Sequence, residues 1–194
     1  MSHAADSVGS AAERIDVSMK ILIAYYTKTG STARCAAMLR AQFYNHEMTV
    51  ADLSGDAVPL EEYDTVILGA PIRMGHIDKR MRTFLQNNTA PLADRNVAFF
   101  VCCGLPQDAP DVIKSDIPAA LLDRAVAAVP VGGELQVASQ ENAFDKLLVR
   151  LMRRSIKNKQ LDDDIDEEDK PHFPEIMPDQ ISRLADAVKA IAAR

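Results

Sequence analysis

The stretch Thr27-Lys28-Thr29-Gly30-Ser31-Thr32 decides how this chain is read. Before it, Lys20-Ile-Leu-Ile-Ala-Tyr-Tyr26 is short, apolar and rich in strand formers. After it, Ala33 to Phe43 places Ala36, Leu39 and Phe43 at helical spacing and contains neither Gly nor Pro. The residues between are hydroxyl-bearing apart from Lys28 and Gly30. A strand that delivers such a loop onto a helix N-terminus builds an anion site. The first N–H groups of the helix lack partners, its dipole end is positive, and the hydroxyls add neutral donors. Gly30 lets the backbone come close to a ligand. The plainer alternative is a Ser/Thr helix cap beside a loop glycine. The string is neither the Gly-x-x-x-x-Gly-Lys-Ser/Thr nucleotide loop nor Gly-x-Gly-x-x-Gly.

Length and composition set bounds around that stretch. A chain of 194 residues, 47% hydrophobic and 26% charged, predicts one soluble domain with a sizeable core. No run approaches the roughly 18 to 20 apolar residues that span a bilayer. Residues 1–18 are small and polar, lack a basic start and an apolar core, and read as a disordered leader ahead of a domain over 19–194. Cys35, Cys102 and Cys103 form no disulfide framework and match no metal spacing, which fits a reducing cytoplasm. The net charge of −6 argues against nucleic acid as the main partner. Seven acids crowd Asp162 to Asp169, and removing seven negative charges from −6 leaves about +1.

Strand and helix patterns alternate along the rest of the chain. Glu47–Leu53, Thr65–Ala70, Asn96–Cys103 and Val129–Leu135 read as further strands, the middle two apolar enough to be covered on both faces. Lys79–Asn88 reads as a helix with Met81, Phe84 and Leu85 inward; Val112–Ala127 is helical with a break at Pro118; Pro178–Ala193 closes the chain as a helix. This alternation predicts an α/β fold, a doubly wound parallel sheet with right-handed crossovers and helices on both faces. Ligands then bind outside the carboxyl ends of the strands. Three loops leave that edge, Thr27–Thr32, Pro71–His76 and Gly104–Asp108. An insertion over about 136–177 follows the fifth strand. Within it Asn142–Lys157 is a basic amphipathic helix, with Phe144, Leu147, Leu148 and Leu151 on one stripe and Lys146, Arg150, Arg153 and Lys157 on another.

These loops carry a resemblance. Thr27–Thr32 is similar to the Ser/Thr-x-Ser/Thr-Gly-x-Thr phosphate loop of flavodoxins, and the chain resembles that family from Met19 to the C-terminus. Within it, Gly69-Ala-Pro-Ile-Arg-Met-Gly-His76 is close to the Gly-Ala-Ser-Ile-Arg-Tyr-Gly-His of flavodoxin-like, menaquinone-dependent protoporphyrinogen dehydrogenases. Phe144-Asp-Lys-Leu-Leu-Val-Arg-Leu-Met-Arg153 resembles that group's inserted helix. Pro71 and Met74 stand where the group has Ser and an aromatic. The stretch Gln136–Glu141 lacks the Tyr, Arg and Trp found there.

The resemblance implies a flavodoxin-like five-stranded sheet ordered 2-1-3-4-5, with FMN as cofactor. It implies that the hydroxyls of Thr27, Thr29 and Thr32 and the backbone N–H groups from Lys28 through Gly30 and Ser31 to Thr32 surround the FMN phosphate. Pro71, Ile72, Arg73, Met74 and Gly75 would run along the isoalloxazine, and Cys103, Gly104 and Leu105 would meet its pyrimidine edge. Without Trp, and without aromatics in these loops, Met74 and Leu105 become the neighbours of a flavin open to substrate.

Arg73 and His76 are the catalytic candidates. A guanidinium near the flavin would favour electron uptake. Their structural alternative is that Arg73 caps or forms an ion pair at the surface and His76 caps the next helix. Lys79, Arg80 and Arg82 read as a solvated helix face, and the adjacent cysteines as packing residues on opposite faces of a strand.

The function implied is an FMN-dependent oxidoreductase. It would take a hydride or two electrons at flavin N5 from a small-molecule donor and pass them to a quinone-type acceptor. The alternative is a flavodoxin-type electron carrier serving protein partners. A receiver domain is excluded, because Tyr26 and Gly69 stand where it needs acids. The basic helix at 142–157 lies on the inner membrane face near quinone, meets substrate carboxylates, or pairs with the acidic run at 162–169. No motif sets an oligomeric state.

Overall fold

The computed structural model describes residues 19–55, 57–133 and 175–192. The leader at 1–18, the amphipathic helix at 142–157 and the acidic run at 162–169 lie outside the described residues. The strands are β1 (Lys20–Tyr25), β2 (Glu47–Asp52), β3 (Thr65–Arg73), β4 (His76–Ile77), β5 (Asn96–Cys102) and β6 (Ala127–Pro130). The helices are α1 (Ser31–Arg40), α2 (Lys79–Asn87), α3 (Thr89–Ala93), α4 (Ala109–Asp116), α5 (Ala119–Leu122) and α6 (Pro178–Ala192). Five strands pair in parallel in the order β2-β1-β3-β5-β6, the doubly wound order the sequence predicts.

Alternate side chains of each central strand point to opposite faces, and both faces are covered. Ile21, Ile23, Ile67 and Phe100 pack on one side with Leu39 of α1 and Leu184 and Val188 of α6. Leu22, Leu68, Phe99 and Val101 pack on the other with Met81, Leu85, Leu92, Ile113 and Leu121. Ile117 is extended because Pro118 follows it, and this separates α4 from α5.

Two boundaries differ from the sequence reading. β6 begins at Ala127, and Val131–Gly133 leave its end to meet the chain ahead of α6. Met177 N donates to Val131 O at 2.8 Å, and Gly132 bridges Ile176. The larger difference lies at Pro71–His76, which is a hairpin and not an irregular loop. β3 runs on through Pro71, Ile72 and Arg73 and folds back, pairing Arg73 with His76 and Ile72 with Ile77 antiparallel. Pro71 still pairs in register with Cys102 of β5, and its carbonyl accepts from Asp78 N at 2.9 Å. A proline lacks only its N–H, so it stands at the strand's end without costing that acceptor.

Gly69 sits at the centre of the sheet, opposite Tyr25 on one side and Phe100 on the other. A Cβ there would stand 2.0 Å from Cζ of the fully buried Phe100 ring. Gly69→Ala is expected to destabilise the fold by about 1–3 kcal/mol through overpacking, measured by urea unfolding. An unchanged midpoint would show that the ring has room to move.

Candidate functional site

β1, β3 and β5 end at one edge of the sheet, and the three sequence-marked loops leave from there. Tyr26 N donates to Gly69 O at 3.0 Å, continuing the ladder one residue beyond β1. The chain then turns through Thr27–Gly30. Thr27 Oγ1 accepts from Gly30 N at 3.0 Å, and its own proton stays available to a ligand. Gly30, at φ 89°, is the N-cap of α1, and its carbonyl accepts the first helical bond from Arg34 N at 3.0 Å. A Cβ added to Gly30 would find nothing within 4 Å, so the loop has open space on that side. Ser31 Oγ is buried and has no hydrogen-bond partner. An unmet buried hydroxyl costs about 1–3 kcal/mol, a cost that a ligand oxygen removes. The Thr32 hydroxyl, also buried, bonds the Cys102 thiol beneath the loop.

The second loop is the turn of the hairpin. Met74 and Gly75 both have positive φ, 52° and 76°, as a two-residue type I′ turn requires. Methionine is poorly suited to that backbone, where Asn or Gly is cheaper. Its side chain is nonetheless 74% exposed. His76 does not cap the next helix. Asp78 does, accepting from Arg80 N at 2.9 Å. His76 Nδ1 instead lies 3.2 Å from Oδ1 of Asp116 at the end of α4. The largely buried Asp116 carboxylate also accepts from Ile77 N at 2.7 Å and lies 3.9 Å from Arg82 Nε. It thus fastens the hairpin to α4 and orients the imidazole. Asp116 was not marked by the sequence, since it lies 40 residues from His76.

Arg73 sets its charge on the Asp78 carboxylate from the hairpin. Burial alone would push that carboxyl up. The hydrogen bonds and charge of Arg80, with Arg73 behind them, outweigh burial and hold it below the usual carboxylate range.

In the third loop Cys103 is buried, while Gly104 and Leu105 are exposed. Cys103 N donates to Gly132 O at 2.9 Å, anchoring the loop to the strand end beside it. The two adjacent thiols face opposite sides of the sheet. Cys102 Sγ is 3.6 Å from Cys35 Sγ of α1, and Cys103 belongs to the other core. The hydrogen bond with Cys35, and then burial, raise Cys102; burial pushes the Cys103 thiol up to about 11.

Two outcomes follow from this geometry. Met74→Asn is expected to raise stability by about 0.5–1 kcal/mol in urea unfolding, by relieving the left-handed strain. Loss of stability would show that the methionine contributes packing that its exposure hides. A thiol at about 11 is a thiolate in roughly one molecule per thousand at pH 8, so Cys103 is expected to resist iodoacetamide until the chain is denatured. Below about pH 11 its alkylation should quicken roughly tenfold per pH unit. Rapid labelling of the native protein at pH 8 would contradict the burial.

The flavodoxin domain family matches the chain over residues 22–163, which takes in all three loops. No curated protein matches it. Its fold is similar to that of a Fusobacterium nucleatum flavodoxin bound to flavin mononucleotide, 12% identical, with a TM-score of 0.48 over 89% of this chain and 98% of the other. A flavoprotein in complex with FMN from Lactobacillus acidophilus is 14% identical, with a TM-score of 0.47 over 58% of this chain and 93% of the other. Flavodoxin 1 of Bacillus cereus is 23% identical, with a TM-score of 0.42 over 71% and 97% respectively. Among the described residues, no helix is long and apolar enough to cross a membrane. With most of its length matched by the family's sequence pattern and its sheet in the doubly wound order, the chain belongs to the flavodoxin domain family.

Proposed function

We propose that the chain is an FMN-dependent oxidoreductase that moves two electrons from a small-molecule donor to a quinone-type acceptor. The observation that carries the cofactor is the first loop. There a left-handed Gly30 with open space beside it leads into a helix whose first residue keeps a buried hydroxyl without a partner. A phosphate monoester fits that chemistry, because the helix N-terminus favours an anion and Ser31 supplies a donor. Thr27, Thr29 and the backbone from Lys28 to Thr32 would hold the phosphate; Pro71–Gly75 and Cys103–Leu105 would flank the ring. Bound there, FMN supplies hydride or two-electron chemistry at its N5.

The protein's own residues set who may approach. Met74 and Leu105, 74% and 50% exposed, put apolar, non-aromatic side chains on the two ring-flanking loops. A ring so flanked stays accessible to a planar organic partner, which supports an enzyme over a carrier. Arg73 adds positive charge to the hairpin, which favours electron uptake. The finer reading takes a protoporphyrinogen as donor and rests on the Gly69–His76 string. His76 would then stand at the donor's side of the hairpin with its ring held by Asp116.

A reductive titration of the protein reconstituted with FMN tests this. The expected result is one two-electron step, with a potential that Arg73→Gln lowers by about 30 mV, equivalent to a tenfold change in the two-electron equilibrium. Turnover of protoporphyrinogen with a soluble quinone would support the finer assignment. Two well-separated one-electron steps, insensitive to Arg73, would overturn the enzyme reading in favour of a carrier.

A further inference from the structure

Arg80 reads as a solvated residue from sequence, and 44% of its side chain is indeed exposed. All three of its guanidinium nitrogens are nevertheless engaged, and with groups from three strand ends. Nε and Nη2 form a bidentate pair with Asp78 at 3.0 and 2.9 Å. Nη2 also donates to Thr27 O at 3.3 Å, and Nη1 to Ser54 Oγ at 3.2 Å. The plane lies over the Tyr26 ring, 4.9 Å from its centroid. Ser54 follows β2, Tyr26 and Thr27 follow β1, and Asp78 N is bonded to Pro71 O of β3.

The bond to Thr27 O has a consequence for the loop. A trans peptide is planar, with its C=O and the next N–H pointing in opposite directions. Holding the Thr27 carbonyl toward α2 fixes the Lys28 N–H on the far side of that plane, at the start of the proposed anion loop. Because Asp78 neutralises the guanidinium, Arg80 acts on the loop mainly through geometry and not as a free charge.

We infer that Arg80 is a positioning residue that sets the preference of this site for a phosphorylated flavin over the same ring without phosphate. It does so by locking the Thr27–Lys28 peptide and tying it, through Asp78, to the hairpin that flanks the ring. The inference rests on the FMN reading above.

Fluorescence titrations of FMN and riboflavin, on the full chain and on Arg80→Met and Arg80→Lys, test it. Wild type is expected to bind FMN more tightly than riboflavin. Arg80→Met should weaken FMN about tenfold and leave riboflavin within about twofold, so that the ratio collapses. Arg80→Lys keeps the charge without the planar fork, and should lose most of the preference as well. If either variant keeps the wild-type ratio, the positioning role is overturned, with Arg80→Lys alone keeping it pointing to simple charge. Equal losses for both flavins would overturn it too, by showing a general structural defect. A wild-type chain that binds neither flavin overturns the FMN reading itself and this inference with it.

Discussion

The hydrogen bond from Tyr26 N to Gly69 O is where the first loop leaves the sheet. It forms because β1 and β3 stay in register to their carboxyl ends, and that register rests on close packing of the central strands. Gly69 is the only residue type that leaves room for the buried Phe100 ring beside it. The ring in turn packs against the α1 and α6 side of the core. The position of the loop at the sheet edge is therefore a result of how the core is filled, several residues below the site.

Above that edge the protein departs from locally cheapest choices. Met74 occupies a turn position that favours Asn or Gly, and Ser31 keeps a buried hydroxyl without a partner. Each departure costs on the order of 1 kcal/mol, and they fall on two of the three converging loops. Among the described residues the other buried polar atom without a partner is Arg95 Nε, ahead of β5 and away from this edge. The polar groups near the loops are instead satisfied with care: Asp116 accepts from Ile77 and His76, and Asp78 accepts three times from Arg80, from its backbone N, Nε and Nη2. The hairpin and the first loop are thereby held by carboxylates that face inward.

Most of the fold was readable from sequence because its signals are local. Continuous apolar runs at 20–26, 65–70 and 96–103 mark strands buried on both faces, and the hydroxyl-rich loop at 27–32 marks the start of a helix. The opposed faces of Cys102 and Cys103 follow from strand periodicity alone. What escaped was partly local and partly long-range. The hairpin at 71–77 is hard to see because Met74 is an atypical type I′ residue and Pro71 suggests a break. Asp116 meets His76 across 40 residues, and Arg80 meets Thr27 across 53. Asp78 could have been found as a helix cap, since an Asp before a helical run is the usual signal; the sequence reading weighed His76 for that role, as the alternative to a catalytic one.

Amide hydrogen exchange across residues 27–32, with FMN added and then with riboflavin, probes the phosphate placement on which the functional reading stands. FMN is expected to slow exchange at the amides of residues 28–32, and riboflavin to leave them nearly unchanged while both flavins protect the segments around 71–75 and 103–105. Protection elsewhere with no FMN-specific slowing in the first loop would contradict the placement of the phosphate at the α1 N-terminus.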